Sequence, residues 1–232
     1  MNSEVDIALN SDARSAVTGS ELAGTGTGAR SAVFFVGRDA IPPVWEVAAG
    51  EELNLHLVVL PDSTAGSEVV VSLRIDLLGP GATVDVKGVY ICPGSENVSI
   101  SVDVRHLSGG CTSRQLLKGI VGGHARFSFH GRILVPEGAQ KTKAYQENHS
   151  ILLSRDAIVE TSPQLEIYAD DVECSHGATV GYLSELEQFY MRSRGIPLAD
   201  ARRLQILSFL SPVSGGLVEL DEKICHAVEN AI

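Results

Sequence analysis

The segment Val69-Val70-Val71-Ser72-Leu73-Arg74-Ile75-Asp76-Leu77 alternates between two kinds of side chain at a period of two. Apolar residues occupy every odd position, and the even positions after Val70 are polar. Because a β-strand turns successive side chains to opposite faces, this pattern predicts a strand with one buried face and one solvent face. The segment is the clearest indication of a β-rich fold.

Two further segments repeat this pattern, one from Val98 to Val104 and the other from Phe127 to Ile133. Turn-forming residues such as Gly79-Pro80-Gly81 and Gly122-Gly123 separate the runs. Successive strands without helices between them exclude a doubly wound α/β fold. The pattern leaves a sandwich, a barrel and a β-solenoid open, and the irregular spacing of the strand centres indicates no clean solenoid repeat.

The periodicity becomes helical after Gly181. Ser184-Glu185-Leu186-Glu187 fits a capping box, and Gly195-Ile196-Pro197 predicts the end of that helix. Two more helices are predicted, from Ala201 to a stop at Ser211-Pro212 and from Leu220 to Val228. A helical tail of this size cannot form a generous core alone, so we expect it to dock on the β region or on a partner.

The predicted organisation therefore has three parts: a loop-rich N-terminal segment over residues 1–30, a β core over 31–181 and a C-terminal helical domain over 182–232.

Hydrophobic residues make up 44% of the 232 residues and charged residues 20%, which is typical of a soluble globular protein. The net charge of −11 argues against nucleic acid as a partner. No signal peptide and no apolar run of about 20 residues is visible, so we expect a cytoplasmic protein without a membrane segment.

The segment Cys174-Ser175-His176 is the most interesting cluster for chemistry. Residues two apart on a strand point to the same face, so a thiol and an imidazole would lie side by side. A nearby imidazolium would favour the thiolate, and both groups suit iron–sulfur or zinc chemistry. Two ligands cannot complete a tetrahedral site, so other donors must come from elsewhere in the chain or from another subunit. A half-buried thiol beside a hydrogen-bonded histidine is the alternative interpretation.

The remaining candidate groups favour structural roles. His106 and Cys111 flank a glycine-containing turn, and Cys92 and Cys225 are interpreted as packing residues with reduced thiols. No complete set of catalytic residues is recognisable, which argues against an enzyme.

Longer segments of the chain resemble a known family. One segment reads Leu165-Glu166-Ile167-Tyr168-Ala169-Asp170-Asp171-Val172-Glu173-Cys174-Ser175-His176-Gly177. It is similar to the signature of the SufB/SufD family of SUF iron–sulfur cluster assembly proteins. Two further segments resemble the D-type (SufD) branch in particular. They are Cys111-Thr112-Ser113-Arg114-Gln115-Leu116-Leu117-Lys118-Gly119 and Phe129-His130-Gly131-Arg132-Ile133. The resemblance covers roughly residues 100 to 212. Because family members are usually longer, with an N-terminal helical domain, the chain is expected to be a form shortened at its N-terminus.

The resemblance implies a mainly β fold, with a right-handed parallel β-helix core and a small C-terminal α-helical domain. It implies a non-catalytic scaffold that works with a SufC-like ABC ATPase through the C-terminal helices, with Leu204–Leu210 and Leu220–Val228 as the expected docking face. It further implies a dimer through the β-helix, with a SufB-like subunit or a second copy of the chain. An iron–sulfur cluster would form transiently at that interface, with His176 at the D-type position implicated in assembly and Cys174 beside it.

Two other functions stay open at this stage. One is an exported-type β-helix protein that binds or acts on carbohydrate, although the chain has no visible export signal and only 5% aromatic residues. The other is an inert module that binds the ATPase without contacting iron.

Overall fold

The computed structural model describes residues 20–21, 29–61, 68–214 and 218–232 of the chain. The strands are β1 Ser20–Glu21, β2 Ala29–Phe35, β3 Val44–Val47, β4 Glu52–Val59, β5 Glu68–Leu77, β6 Thr83–Cys92, β7 Asn97–His106, β8 Thr112–Val121, β9 Arg126–Val135, β10 Lys143–Leu152, β11 Ile158–Ile167 and β12 Glu173–Tyr182. The helices are α1 Glu185–Ser193, α2 Leu198–Ser214 and α3 Val218–Ala231. Most of the predicted loop-rich segment 1–30 lies outside the described residues.

From β2 onward, successive strands are placed alternately in two sheets. One sheet has the order β1-β2-β4-β6-β8-β10-β12 and the other has the order β11-β9-β7-β5-β3. Every pairing from β2 to β12 is parallel, and only β1 pairs antiparallel, with β2. A chain that moves between two parallel sheets in this way forms a parallel β-helix. This confirms the mainly β fold with a solenoid core followed by helices.

The solenoid repeat is regular, and the interpretation of irregular strand spacing was wrong. Thr83 pairs with Thr112, Thr112 with Lys143, and Lys143 with Glu173, so one turn takes about 30 residues. The repeat consists of two strands, one in each sheet. The three clear alternating segments belong to β5, β7 and β9, which all lie in the five-stranded sheet. The sequence pattern therefore revealed only every second strand.

The interior of the early turns is a stack of aliphatic and aromatic side chains. Leu53, Leu55 and Leu57 of β4 are almost fully buried, as are Val84 and Val86 of β6 on the next turn. Burial of one such side chain stabilises a fold by roughly 1.5 to 3 kcal/mol. Aligned apolar columns thus hold successive turns in register, because a slip by one residue would turn each column toward solvent.

Helices α2 and α3 cover the outer face of the seven-stranded sheet. Ile206 and Leu210 of α2 and Ile224 of α3 form one buried cluster with outward-facing residues of the sheet, including Val89 and Ile120. Of the two surfaces expected to receive the helical tail, the β region or a partner, the β region is the one that α2 and α3 contact. No helix among the described residues is both long enough and apolar enough to cross a membrane.

Ser184 caps the start of α1, since its hydroxyl accepts a hydrogen bond from the Glu187 backbone N–H at 3.3 Å. The Glu187 carboxylate accepts from the Gln205 side chain at 2.7 Å, so only the Ser184 half of the predicted capping box is observed. The predicted stop of α2 at Ser211-Pro212 was wrong, because α2 continues through Pro212 to Ser214. A proline cannot donate to the carbonyl four residues earlier. The carbonyl four residues before Pro212 belongs to Ser208, and it accepts a hydrogen bond from the Ser211 hydroxyl at 3.0 Å instead.

Candidate functional site

The last turn of the solenoid presents Cys174 and His176. Both lie on β12, the terminal strand of the seven-stranded sheet. Cys174 is paired with Ala144 and His176 with Gln146, and these two β10 residues are fully buried in the solenoid interior. Aligned residues of parallel strands face the same side, so Cys174 and His176 both face the interior side. No described strand continues the sheet beyond β12, and His176 is exposed while Cys174 is half-buried.

The Cys174 thiol lies against a small apolar cluster that includes Ile133, Val135 and Ala169. Burial raises the pKa of this thiol, and a hydrogen bond with the Ala144 backbone opposes that effect only in part. Desolvation is the largest influence on this thiol, so its pKa moves in the direction opposite to the one expected for a reactive cysteine.

Charged groups near β12 lie on the opposite, outward face. Glu173 is 3.2 Å from the Lys143 ammonium and accepts a hydrogen bond from the Tyr145 hydroxyl at 3.0 Å. The hydrogen bonds from Tyr145 and Lys143 lower the pKa of Glu173. Because Glu173 and Cys174 are adjacent on the strand, their side chains diverge, and Glu173 does not join the Cys174–His176 pair.

The described residues contain no group of three or more His, Cys, Asp and Glu side chains that could hold a metal ion. The strand geometry thus brings together the two predicted site residues and supplies no third protein ligand from the described part of the chain. A cluster bound at this place would need donors from another molecule or from small ligands.

The last turns contain a set of buried polar side chains that was not predicted from the sequence. Gln146 donates its side-chain N–H to the side-chain oxygen of Gln115 at 3.1 Å, and both residues are buried. Nearby, the Tyr90 hydroxyl contacts Asn148 at 2.9 Å and Ser150 at 2.6 Å. The available signal was the separation of Gln115 and Gln146, which corresponds to one solenoid turn and puts them in register.

The cysteines and the histidine predicted to be structural lie in packed surroundings. His106 is fully buried, with its Nε2 2.8 Å from the Ser113 hydroxyl. The Cys111 thiol donates to the Gly79 carbonyl at 3.1 Å, and burial raises the pKa of both Cys111 and Cys92. Cys225 is half-buried on α3.

A second exposed feature is an apolar surface on α1 and α2, which we call the helical apolar face. It consists of Leu186, Phe189, Tyr190 and Leu204, with exposed fractions of 78%, 69%, 59% and 49%. It differs from the docking face expected over Leu204–Leu210 and Leu220–Val228, because most of the apolar side chains in those two segments are buried and cannot contact a partner. Leu210, Leu220, Ile224 and Val228 are buried against the outer surface of the sheet, because the β region offers them apolar partners.

Comparison with known proteins identifies the family. The family described as "SUF system FeS cluster assembly, SufBD core domain" matches residues 54–209. The chain belongs to the SufBD family. The iron-sulfur cluster assembly protein SufD of Escherichia coli is 40% identical over 141 residues, which cover 61% of this chain and 33% of that protein. SufD of Bacillus subtilis is 33% identical over 138 residues, which cover 60% of this chain and 32% of that protein.

A plant relative, the chloroplastic protein ABCI7 of Arabidopsis thaliana, is 37% identical over 166 residues, which cover 70% of this chain and 34% of that protein. The matches to SufD proteins confirm the predicted D-type resemblance. The chain spans about a third of the length of these curated relatives. The match includes β12 and both residues of the candidate pair, since residues 174 and 176 lie within the SufBD core domain.

Proposed function

We propose that this SufBD-family chain is a non-catalytic scaffold subunit of a SUF-type iron–sulfur cluster assembly complex. In this proposal His176, with Cys174 beside it, forms one half of a cluster-assembly site, and a second polypeptide supplies the other half. The cluster is the product that is built and passed on, and it is held only transiently. The observation that carries the proposal is the position of this pair on the terminal strand of the solenoid.

The chemistry of the pair supports a shared site. An exposed imidazole can bind a metal ion or transfer a proton without a preceding rearrangement. The half-buried Cys174 thiol becomes a ligand on losing its proton, which a metal ion delivered by a partner would promote. Family membership gives the metal chemistry, since the matching domain is described as one of iron–sulfur cluster assembly.

The proposed partner at the β-helix is a second β-helix, either a SufB-like subunit or another copy of this chain. The terminal strand β12 has an edge with no described neighbour, and such an edge presents backbone N–H and C=O groups for pairing. Val180 and Tyr182 on this strand are 45% and 63% exposed, which adds apolar surface beside the edge. Pairing at this edge would bring the partner's side chains close to His176.

The proposed partner at the helices is a SufC-like ABC ATPase, docked on the helical apolar face. Four large apolar side chains exposed together are unusual on a surface that contacts only water, and apolar patches of this kind mark interaction sites. This surface lies on α1 and α2, whereas the cluster site lies on β12. The chain would thus connect ATP-driven movement at one surface with cluster assembly at another.

The four cysteines are free thiols, which supports a location in a reducing compartment, and we propose that this compartment is the cytoplasm.

The experiment that tests the site uses His176→Ala in the chain co-expressed anaerobically with its ATPase and B-type partners. We expect the complex to form normally and its iron and sulfide content to fall to background. His124→Ala is the matched control, because His124 is a highly exposed histidine in the turn before β9, with 79% of its side chain exposed. Normal cluster content in the His176→Ala complex would rule out the site and favour an inert ATPase-binding module.

A further inference from the structure

The buried amides of Gln115 and Gln146 form a short ladder that ends at His176. Val86, Gln115, Gln146 and His176 occupy aligned positions on β6, β8, β10 and β12. In stacked parallel strands, glutamine side chains at aligned positions bond along the stack, each donating in one direction and accepting from the other. The bond from Gln146 to Gln115 follows this rule, with the donor directed toward β8.

Both ends of this two-residue ladder are unsatisfied. The Gln115 Nε2 and the Gln146 Oε1 are buried and have no hydrogen-bond partner among the described residues. At the Gln115 end the aligned neighbour is Val86, which offers no acceptor. At the Gln146 end the aligned neighbour is His176, whose ring nitrogens are the natural partners of an amide oxygen.

The amide of Gln146 is confined by the opposite sheet. A Cβ atom built on Gly131 would lie 2.2 Å from the Gln146 Nε2 and 2.6 Å from its Oε1, so the amide fills the space that this glycine leaves. The Gln146 N–H is held by Gln115 on β8, so its oxygen is the amide atom left for another donor, and the next strand beside β10 on the side away from β8 is β12. Burial of an acceptor without a partner is unfavourable, which favours any arrangement that supplies a donor.

We infer that Gln146 is a positioning residue for His176: its side-chain oxygen accepts the N–H of one ring nitrogen and thereby sets the tautomer and the orientation of the imidazole. This inference rests on the proposed function of His176 and deepens it. The remaining ring nitrogen keeps its lone pair and faces away from the ladder, toward the surface where the second polypeptide approaches. Metal-binding histidines are commonly held in this way through their other nitrogen.

The test measures the tautomer of His176 rather than cluster maturation. Two-bond ¹H–¹⁵N spectra of the purified full chain, at an alkaline pH where the ring is neutral, report which nitrogen carries the proton, and a His176→Asn spectrum assigns the signals. We expect one dominant tautomer. Gln146→Met should lower the ratio of the two tautomers by about fivefold, since it removes one neutral hydrogen bond.

Two further variants separate positioning from general disturbance of the solenoid end. Gln115→Met removes the amide that orients Gln146 and should change the ratio in the same direction but less, and it serves as the main test if Gln146→Met fails to fold. Thr161→Val is the control, because it removes a buried, unpartnered hydroxyl on the opposite sheet while preserving side-chain shape. The inference is overturned if the ratio is unchanged in both glutamine variants, or if Thr161→Val changes it equally.

The inference and the proposed function can fail separately. Loss of clusters in His176→Ala together with an unchanged tautomer in Gln146→Met would overturn the role of Gln146 and leave the assembly site standing. A changed tautomer in Gln146→Met together with normal cluster content in His176→Ala would establish the ladder and remove its functional meaning.

Discussion

Tyr90 of β6 stacks on Phe127 of β9 across the solenoid interior, with ring centroids 3.6 Å apart and ring planes inclined by 6°. The two strands belong to opposite sheets, so this pair joins the sheets at the centre of the fold. The hydroxyl of Tyr90 lies beside Asn148 and Ser150 of β10. One side chain therefore links the apolar interior of the early turns to the polar interior of the last ones.

Replacement of Tyr90 by Phe should keep the stacked ring and remove the link to β10. Asn148 and Ser150 are buried and would each lose a partner, so we expect the free energy of unfolding to fall by about 1 to 3 kcal/mol. Urea denaturation followed by circular dichroism measures this change. Tyr168→Phe, at a residue that is 65% exposed, is the control and should leave the midpoint unchanged. Equal midpoints for Tyr90→Phe and the unmodified chain would show that the hydroxyl contributes nothing.

Gly119 of β8 is predicted to be irreplaceable for a steric reason. A Cβ atom at this position would lie 2.1 Å from Tyr90 Cδ2, and the ring cannot move aside because Phe127 covers its other face. We expect Gly119→Ala to lower the free energy of unfolding by at least about 3 kcal/mol, the upper range for overpacking of a core. Gly138→Ala, which has no atom within 4 Å of the added Cβ, should be tolerated. A soluble Gly119→Ala protein of normal stability would contradict the argument.

The sequence predicted the strands of the five-stranded sheet better than those of the seven-stranded sheet, and the reason is physical. Ser72, Arg74 and Asp76 of β5 lie on the outward face of the five-stranded sheet, whereas α2 and α3 pack on the other sheet, so β5 alternates clearly between apolar and polar residues. In β6, Val89 and Ile91 are also outward-facing, but α2 and α3 cover them, and the strand contains a continuous apolar run from Val89 to Cys92.

The interior of the last turns breaks the alternation in the opposite way. Gln146, Asn148 and Ser150 are buried at positions where an apolar residue would be expected, so β10 could not be recognised from hydrophobicity. The Cys174–His176 pair was predictable because residues two apart on any strand face the same side. The alignment of Gln146 with His176 was not, because it depends on which strand lies beside β12. Register between turns is a tertiary property, and a two-residue spacing along one strand carries no information about it.

His106 should make the stability of the fold depend on pH. Burial lowers the pKa of this histidine to about 4, and within the described part of the chain its Nδ1 has no hydrogen-bond partner that could stabilise a second proton. In the unfolded chain the pKa is about 6.5, so below that pH the unfolded state binds a proton that the folded state does not. Stability is therefore complete above about pH 6.5 and decreases as the pH falls toward 4, with a loss of roughly 2 kcal/mol between pH 7 and pH 5.

Comparison with His106→Gln isolates this contribution. Urea midpoints at pH 7 and pH 5 should differ less for the variant than for the unmodified chain, even if the variant is less stable at both values. The comparison is needed because burial also lowers the pKa of His56, with Lys87 adding to the effect, so His56 contributes a dependence of the same sign. Identical pH dependence in the two proteins would show that His106 takes up its proton without unfolding.

The helical apolar face should be required for the ATPase and dispensable for folding. Leu186 and Phe189 are 78% and 69% exposed, so Leu186→Asp with Phe189→Asp should change the free energy of unfolding by no more than about 0.5 kcal/mol. Large apolar residues at the centre of an interface commonly contribute 2 kcal/mol or more, so the dissociation constant for the ATPase should rise at least about thirtyfold. Calorimetric titration with the ATPase measures it.

Val70→Asp is the matched control for the helical apolar face. Val70 is 66% exposed on β5, in the sheet that α1 and α2 do not cover, so its replacement adds the same charge to an apolar surface away from the proposed contact. Its dissociation constant should equal that of the unmodified chain. If the double variant binds the ATPase as tightly as Val70→Asp does, the helices do not carry the ATPase contact, and the exposed apolar side chains must serve another partner.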